Sequence, residues 1–124
     1  MSVASHQKGK ILLVDDDSDV AEALSFLLCE ERYEVATASN GEEALHYLKS
    51  HPQPRLILLD VMMPIMDGYE FRNAQLGDPT IADIPVVILT AGYLGDRASE
   101  LRAKSHVRKP VDLDRLLGEV ALLS

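Results

Sequence analysis

Three short apolar runs in this chain each end on a residue that can do chemistry. They are Lys10-Ile11-Leu12-Leu13-Val14 before Asp15-Asp16-Asp17, Arg55-Leu56-Ile57-Leu58-Leu59 before Asp60, and Pro85-Val86-Val87-Ile88-Leu89 before Thr90. An unbroken apolar run of this length, without polar alternation, reads as a strand buried on both faces, and such a strand requires helices above and below it. Helical patterns supply them. Ser18 to Glu31 carries Val20, Ala21, Leu24, Leu27 and Leu28 at helical spacing, with Asp17 or Ser18 as the N-cap. Asn40-Gly41-Glu42-Glu43 opens a second helix with Ala44, Leu45 and Leu48, its acidic first turn suited to the helix dipole. Pro64 and Asp67-Gly68 mark a loop before a third helix from about Tyr69 to Leu76.

Two weaker strands complete the pattern. Tyr33-Glu34-Val35-Ala36-Thr37 alternates like a strand at a sheet edge, and Ser105-His106-Val107-Arg108-Lys109 is closed by Pro110. A short helix from about Asp96 to Lys104 is expected between the last two strands. A final helix from about Asp112 has Leu113, Leu116, Leu117, Val120 and Leu123 as one apolar stripe, expected to be core. Five strands alternating with five helices predict an α/β fold, an open five-stranded parallel sheet with helices on both faces. In such sheets ligands bind beyond the carboxyl ends of the strands. Asp15, Asp16, Asp60, Thr90 and Lys109 all fall at or just past such ends, on four different strands.

Bulk properties narrow the function classes. At 124 residues the chain has the size of one domain, divided here into a flexible tail over 1–8 and a domain over 9–124. A net charge of −8 without clustered Lys and Arg argues against direct nucleic-acid binding. No run approaches the roughly 20 apolar residues needed to span a bilayer, so no membrane insertion is expected. The single cysteine, Cys29, follows Leu27-Leu28 and reads as a packed thiol, in keeping with a reducing, cytoplasmic location. His6, His46, His51 and His106 lack zinc-like spacing.

Carboxylates gathered at one sheet edge repel each other, and a hard divalent cation relieves the repulsion. Mg²⁺ suits carboxylates, a backbone carbonyl and water in octahedral array, whereas the glycine and distal glutamate of a calcium-binding loop are missing around Asp15, Asp17 and Asp19. An aspartate beside Mg²⁺, with a hydroxyl and a lysine, suits phosphoryl transfer, in which positioning and charge neutralisation do most of the catalysis. One carboxylate can be the nucleophile. Thr90 would donate to a phosphoryl oxygen and Lys109 would offset charge on another. Taken alone, Asp15-Asp16-Asp17 could equally cap the first helix, and Lys109 could be a surface lysine.

The segments Ile11-Leu12-Leu13-Val14-Asp15-Asp16-Asp17, Leu56-Ile57-Leu58-Leu59-Asp60-Val61-Met62-Met63-Pro64-Ile65-Met66-Asp67-Gly68, Val86-Val87-Ile88-Leu89-Thr90-Ala91 and Val107-Arg108-Lys109-Pro110 resemble those of two-component response-regulator receiver domains. The resemblance runs from about Lys10 to the C-terminus. It implies a flavodoxin-like (βα)5 fold with strand order 2-1-3-4-5. Asp60 is then the phosphoacceptor of a phosphorelay, and Mg²⁺ is held by Asp16, Asp60 and the main-chain carbonyl of Met62, with Asp15 acting largely through water. Thr90 and Lys109 contact the phosphoryl group, and the Lys109-Pro110 bond is expected to be cis. The implied partners are a sensor histidine kinase or histidine phosphotransfer protein upstream and a protein target downstream. The implied oligomeric state is a monomer or a phosphorylation-dependent dimer. Such a domain catalyses its own phosphorylation and dephosphorylation without being an enzyme of metabolism, and this chain reads as the stand-alone type.

Several positions depart from the family pattern. The residue three before Lys109, commonly Tyr or Phe in the family, is His106, and the interval from Thr90 to Lys109 looks short. With Thr90, His106 is the expected switch residue, coupled less tightly than an aromatic and open to pH control; the alternative is a solvent-facing histidine without a switch role. Met62, two residues after Asp60, either screens the acyl phosphate from water or is an exposed loop methionine that contributes only its carbonyl. Two competing classes stay open. One is a phosphatase of the haloacid-dehalogenase type with Asp15 as nucleophile, and the other is a receiver-like module that is never phosphorylated.

Overall fold

A computed structural model describes residues 8–91 and 95–123; most of the expected tail over 1–8 lies outside them. The five strands are β1 (Gly9–Val14), β2 (Tyr33–Ala38), β3 (Leu56–Asp60), β4 (Val86–Thr90) and β5 (Ser105–Arg108). All pairs are parallel, in the order β2-β1-β3-β4-β5. The expected topology is the observed one, with the weakly patterned β2 and β5 as the two edges.

Successive residues of a strand face opposite sides of the sheet, so each apolar run feeds two cores. Leu12, Val14, Ile57, Leu59, Val86 and Ile88 pack on one side with Ala44, Leu48, Phe71 and Leu101. Ile11, Leu13, Leu56, Leu58, Val87, Leu89 and Val107 pack on the other with Leu24, Leu28, Leu116 and Val120. The first side is covered by α2 (Gly41–Ser50), α3 (Gly68–Leu76) and a 3₁₀ helix (Gly95–Leu101), the second by α1 (Ser18–Glu30) and α4 (Leu113–Leu123). Caps set the helix starts. Asp17 accepts from the N–H groups of Asp19 and Val20 at the head of α1, and Asn40 accepts from Glu43 N–H at the head of α2. Asp67 and Glu70 form a reciprocal capping box at the head of α3.

Three expectations need correction. The helix expected over Asp96 to Lys104 is a 3₁₀ helix ending at Leu101, so among the described residues four α-helices and one 3₁₀ helix accompany the strands. Its end is set from outside: buried Arg72 of α3 donates through Nε to Leu101 O at 2.6 Å and through Nη2 to Arg102 O at 2.8 Å. Those carbonyls are turned away from a helical course, and Arg102 takes a positive φ of 46°. Cys29 is exposed, because the inward stripe of α1 runs Ala21, Leu24, Leu28 and the next residue rotates out of it. Leu113, at the first turn of α4, is exposed as well, while Leu116 and Val120 are buried.

The β3–α3 loop is tightly constrained. A Cβ on Gly68 would lie 2.8 Å from Asp60 O and from Val61 Cα, so α3 can begin here only on glycine. Just before it, Met66 N–H donates to Pro64 O at 2.7 Å around Ile65, whose φ is +68°. This is a γ-turn of the rare positive-φ form, centred on a β-branched residue that strongly disfavours it. Ile65 is also 74% exposed and gains little burial in return. Replacing Ile65 with Gly is expected to raise stability by about 1 kcal/mol, measured by urea denaturation; a loss of stability would show that the ring of contacts, not the backbone, decides this position.

Candidate functional site

The carboxyl ends of β1, β3, β4 and β5 bring together the residues singled out from the sequence. Asp15 continues β1, its N–H donating to Ala38 O at 3.0 Å. Asp60 is the last residue of β3 and Thr90 the last of β4. Lys109 directly follows β5, held by Lys109 N–H donating to Thr90 O at 2.6 Å, and the Lys109-Pro110 bond is cis as expected. Carboxylate oxygens of Asp15, Asp16 and Asp60 lie within 4.8 Å of one another. Asp15 and Asp60 are buried, and Asp16 faces solvent. That oxygen-only donor set, open on one side, fits a hard divalent cation that keeps part of its water.

Lys109 provides the positive charge. Its Nζ lies 2.9 Å from Asp15 Oδ2 and 3.6 Å from Asp60 Oδ1. Asp15 Oδ1 also accepts from Asp17 N–H at 2.9 Å, so both oxygens of Asp15 have protein donors. Asp15 thereby anchors Lys109. Burial pushes the Asp60 carboxyl up to about 6, and the neighbouring Asp15 charge adds to the shift while Lys109 opposes it. For Lys109 itself, burial disfavours the charged form, but the hydrogen bond to Asp15 and the charge of Asp60 outweigh it and leave the ammonium above its ordinary range.

Other expected residues lie at the margins. Met62 is 75% exposed, on the loop beside Asp60. His106 is exposed on β5, and its main-chain carbonyl accepts from Arg115 Nη2 at 3.1 Å; this is the geometry of the solvent-facing alternative. Thr90 is half-buried. Two buried polar residues were not anticipated. Arg72 and Gln75 are joined at 2.8 Å, and Gln75 Nε2 donates to the carbonyls of Ile81 and Ile84. Their spacing with Gly68 and Phe71 on the inward face of α3 was the available signal.

The model of the response regulator receiver domain family matches residues 11–121, and the chain belongs to that family of two-component signalling proteins. Among curated relatives, "Probable transcriptional regulator ycf27" of Porphyra purpurea is 43% identical over 112 residues, covering 85% of this chain and 43% of that protein. "Response regulator PleD" of Caulobacter vibrioides is 41% identical over 118 residues, covering 93% of this chain and 26% of that protein. The chain thus spans less than half the length of these relatives. Among solved structures, response regulator protein TrrA from Thermotoga maritima, in complex with Mg(2+)-BeF, superposes with a TM-score of 0.81 at 36% identity, covering 93% of this chain and 98% of that one. Among the described residues no helix is long and apolar enough to cross a membrane.

The raised Asp60 carboxyl has a measurable consequence. Its folded pKa of about 6 exceeds the ordinary 3.8, so the folded state is penalised once pH rises above the unfolded value, and the penalty is complete above about 6. Asp60→Asn should therefore stabilise the metal-free protein at pH 7.5 by roughly 2 kcal/mol more than at about pH 3, below both pKa values, where the carboxyl is largely protonated in both states. Urea denaturation at the two pH values measures this. A pH-independent effect would remove Asp60 as the strained group.

Proposed function

We propose that Asp60 accepts a phosphoryl group from a histidine kinase or histidine phosphotransfer protein, and that the acyl phosphate alters the protein-binding surface of the domain. The observation that carries the reading is the placement of the Asp60 carboxylate at the end of the central strand β3, clustered with Asp15 and Asp16 and within 3.6 Å of the Lys109 ammonium. An Asp60 oxygen attacks phosphorus, the new O–P bond forms as the bond to the donor histidine nitrogen breaks, and that nitrogen keeps the electron pair and takes up a proton. Lys109, held by Asp15, is already within 3.6 Å of Asp60 and can follow the developing negative charge on the phosphoryl oxygens. Thr90, on β4 next to the strand that leads into Lys109, would donate to a second oxygen. Asp16, Asp60 and the carbonyl of Met62 would hold Mg²⁺, with Asp15 beside them. The bound ion would supply neutralisation of the phosphoryl charge.

The Mg(2+)-BeF complex of the relative TrrA supports this assignment, as does the oxygen-rich opening at Asp16. Asp15 is a poor alternative nucleophile, because Asp17 N–H and Lys109 occupy its two oxygens. Incubation with acetyl phosphate and Mg²⁺ should add one phosphoryl group to Asp60, located by mass spectrometry, and chelation of Mg²⁺ should abolish it. Label on Asp15 would instead support a hydrolytic phosphatase, and absence of label a binding module that is never phosphorylated.

Met62 has a role in the lifetime of that group. Its exposed side chain stands two residues after Asp60, on the loop that follows β3, where it would screen phosphorus from water. Met62→Asn is expected to speed dephosphorylation several-fold, followed by loss of label after removal of acetyl phosphate. An unchanged rate would leave Met62 with its carbonyl as its only contribution.

A further inference from the structure

Resting on the phosphoacceptor reading above, we propose that Gly41, at the head of α2, is a positioning residue for the metal: it grips the tip of the β3–α3 loop and so sets the Met62 carbonyl that would ligate Mg²⁺. The loop leaves β3 after Asp60 and closes on itself at its base. There Gly68 N–H donates to Val61 O at 2.8 Å, and Gly68 is packed against the main chain of Asp60 and Val61. Met62 follows directly on that base. Its side chain is 75% exposed, so packing of the residue itself does not fix its carbonyl. The carbonyl takes its place from the two anchors on either side, Val61 at the base and Met66 at the tip.

The tip is held by another helix. Gly41 N–H donates to Met66 O at 2.9 Å, and Met63 and Met66 are partly buried against the core that contains Ala38 and Ala44. The head of α2 is a firm support, because Asn40 is buried and caps the helix by accepting from Glu43 N–H at 2.9 Å. Backbone strain marks the same grip. Ile65 keeps a φ of +68° immediately before the residue that Gly41 binds, and a β-branched residue stays there only when its surroundings over-determine it. Glycine at position 41 is itself unfavourable for the helix, since alanine is the better helix former and Gly41 does not have a positive φ. A Cβ at this position would lie 2.7 Å from Met66 Cγ and 3.0 Å from Met66 O and Sδ. The glycine therefore serves the loop and not the helix.

Mg²⁺ titration of the full chain, followed by amide NMR shifts and set beside urea denaturation of each variant, tests the proposal. Gly41→Ala should push Met66 away and raise the Mg²⁺ dissociation constant about tenfold, as loss of support behind a metal ligand does. Adding Met66→Ala removes the obstructing Cγ and Sδ and should restore most of the affinity, although the lost packing lowers stability. A merely structural role would instead make Mg²⁺ affinity follow stability. The wild type gives a measurement that no variant's folding can obscure. Linkage requires bound Mg²⁺ to strengthen the Gly41–Met66 bond in return, so hydrogen exchange at the Gly41 amide should slow on Mg²⁺ addition, and by more than at the Glu43 amide in the same turn. Unchanged Mg²⁺ affinity in folded Gly41→Ala, no recovery in the double variant, or a Gly41 amide indifferent to Mg²⁺ would each overturn the positioning role, while label on wild-type Asp60 would keep the phosphoacceptor reading. Failure of the wild type to bind Mg²⁺ or to be labelled on Asp60 by acetyl phosphate would overturn both together.

Discussion

Burial of β1, β3 and β4 on both faces governs the rest of this molecule. A strand that is apolar on both sides must be covered on both sides, and parallel neighbours must be joined by crossovers. Ile11 and Leu13 then belong to a different core from Leu12 and Val14, although they are adjacent in the chain. With both faces closed to water, polar chemistry can enter only at strand ends. Asp15, Asp60 and Thr90 are where each run stops being apolar, Lys109 follows the edge strand β5, and parallel order brings all four ends to one edge.

That concentration of charge has an energetic cost, and the site distributes it. Lys109 binds Asp15 directly and Asp60 at longer range, and Asp17 N–H takes the remaining Asp15 oxygen. The carboxylate left least compensated is Asp60, pushed up to about 6 by burial and by Asp15. An underneutralised carboxylate at the mouth of the site is primed to take up a cation and to gain from new donors.

Chemistry was legible in the sequence where it coincided with a change of hydrophobic pattern. Asp60 and Thr90 end apolar runs, and both lie where expected. Arg72 and Gln75 were not legible, because a polar residue on a helix is usually solvated and their partners are carbonyls 6 to 30 residues away. Arg72 also holds the end of the 3₁₀ helix, through Leu101 O and Arg102 O. Cys29 shows the smaller error of reading a run of neighbours instead of a helical face. His106 occupies a predicted position, but its exposure follows from the pleat of β5, in which the inward-facing neighbour is Val107.

The sequence by itself determined the α/β class, the parallel sheet, the helix starts near Asp17 and Asn40, and the placement of Asp60 and Thr90 at strand ends, because each depends on periodicity or on residues adjacent in the chain. The tertiary structure alone decided that Asp15 grips Lys109, that Asp60 bears the strain, that Arg72 ends the 3₁₀ helix, and that Arg97 rests on Tyr69. These are contacts between residues far apart in the chain, whose energies come from burial and from partners that local pattern cannot specify. Recognising Asp60 required one strand. Its chemical character required four strand ends packed into one edge.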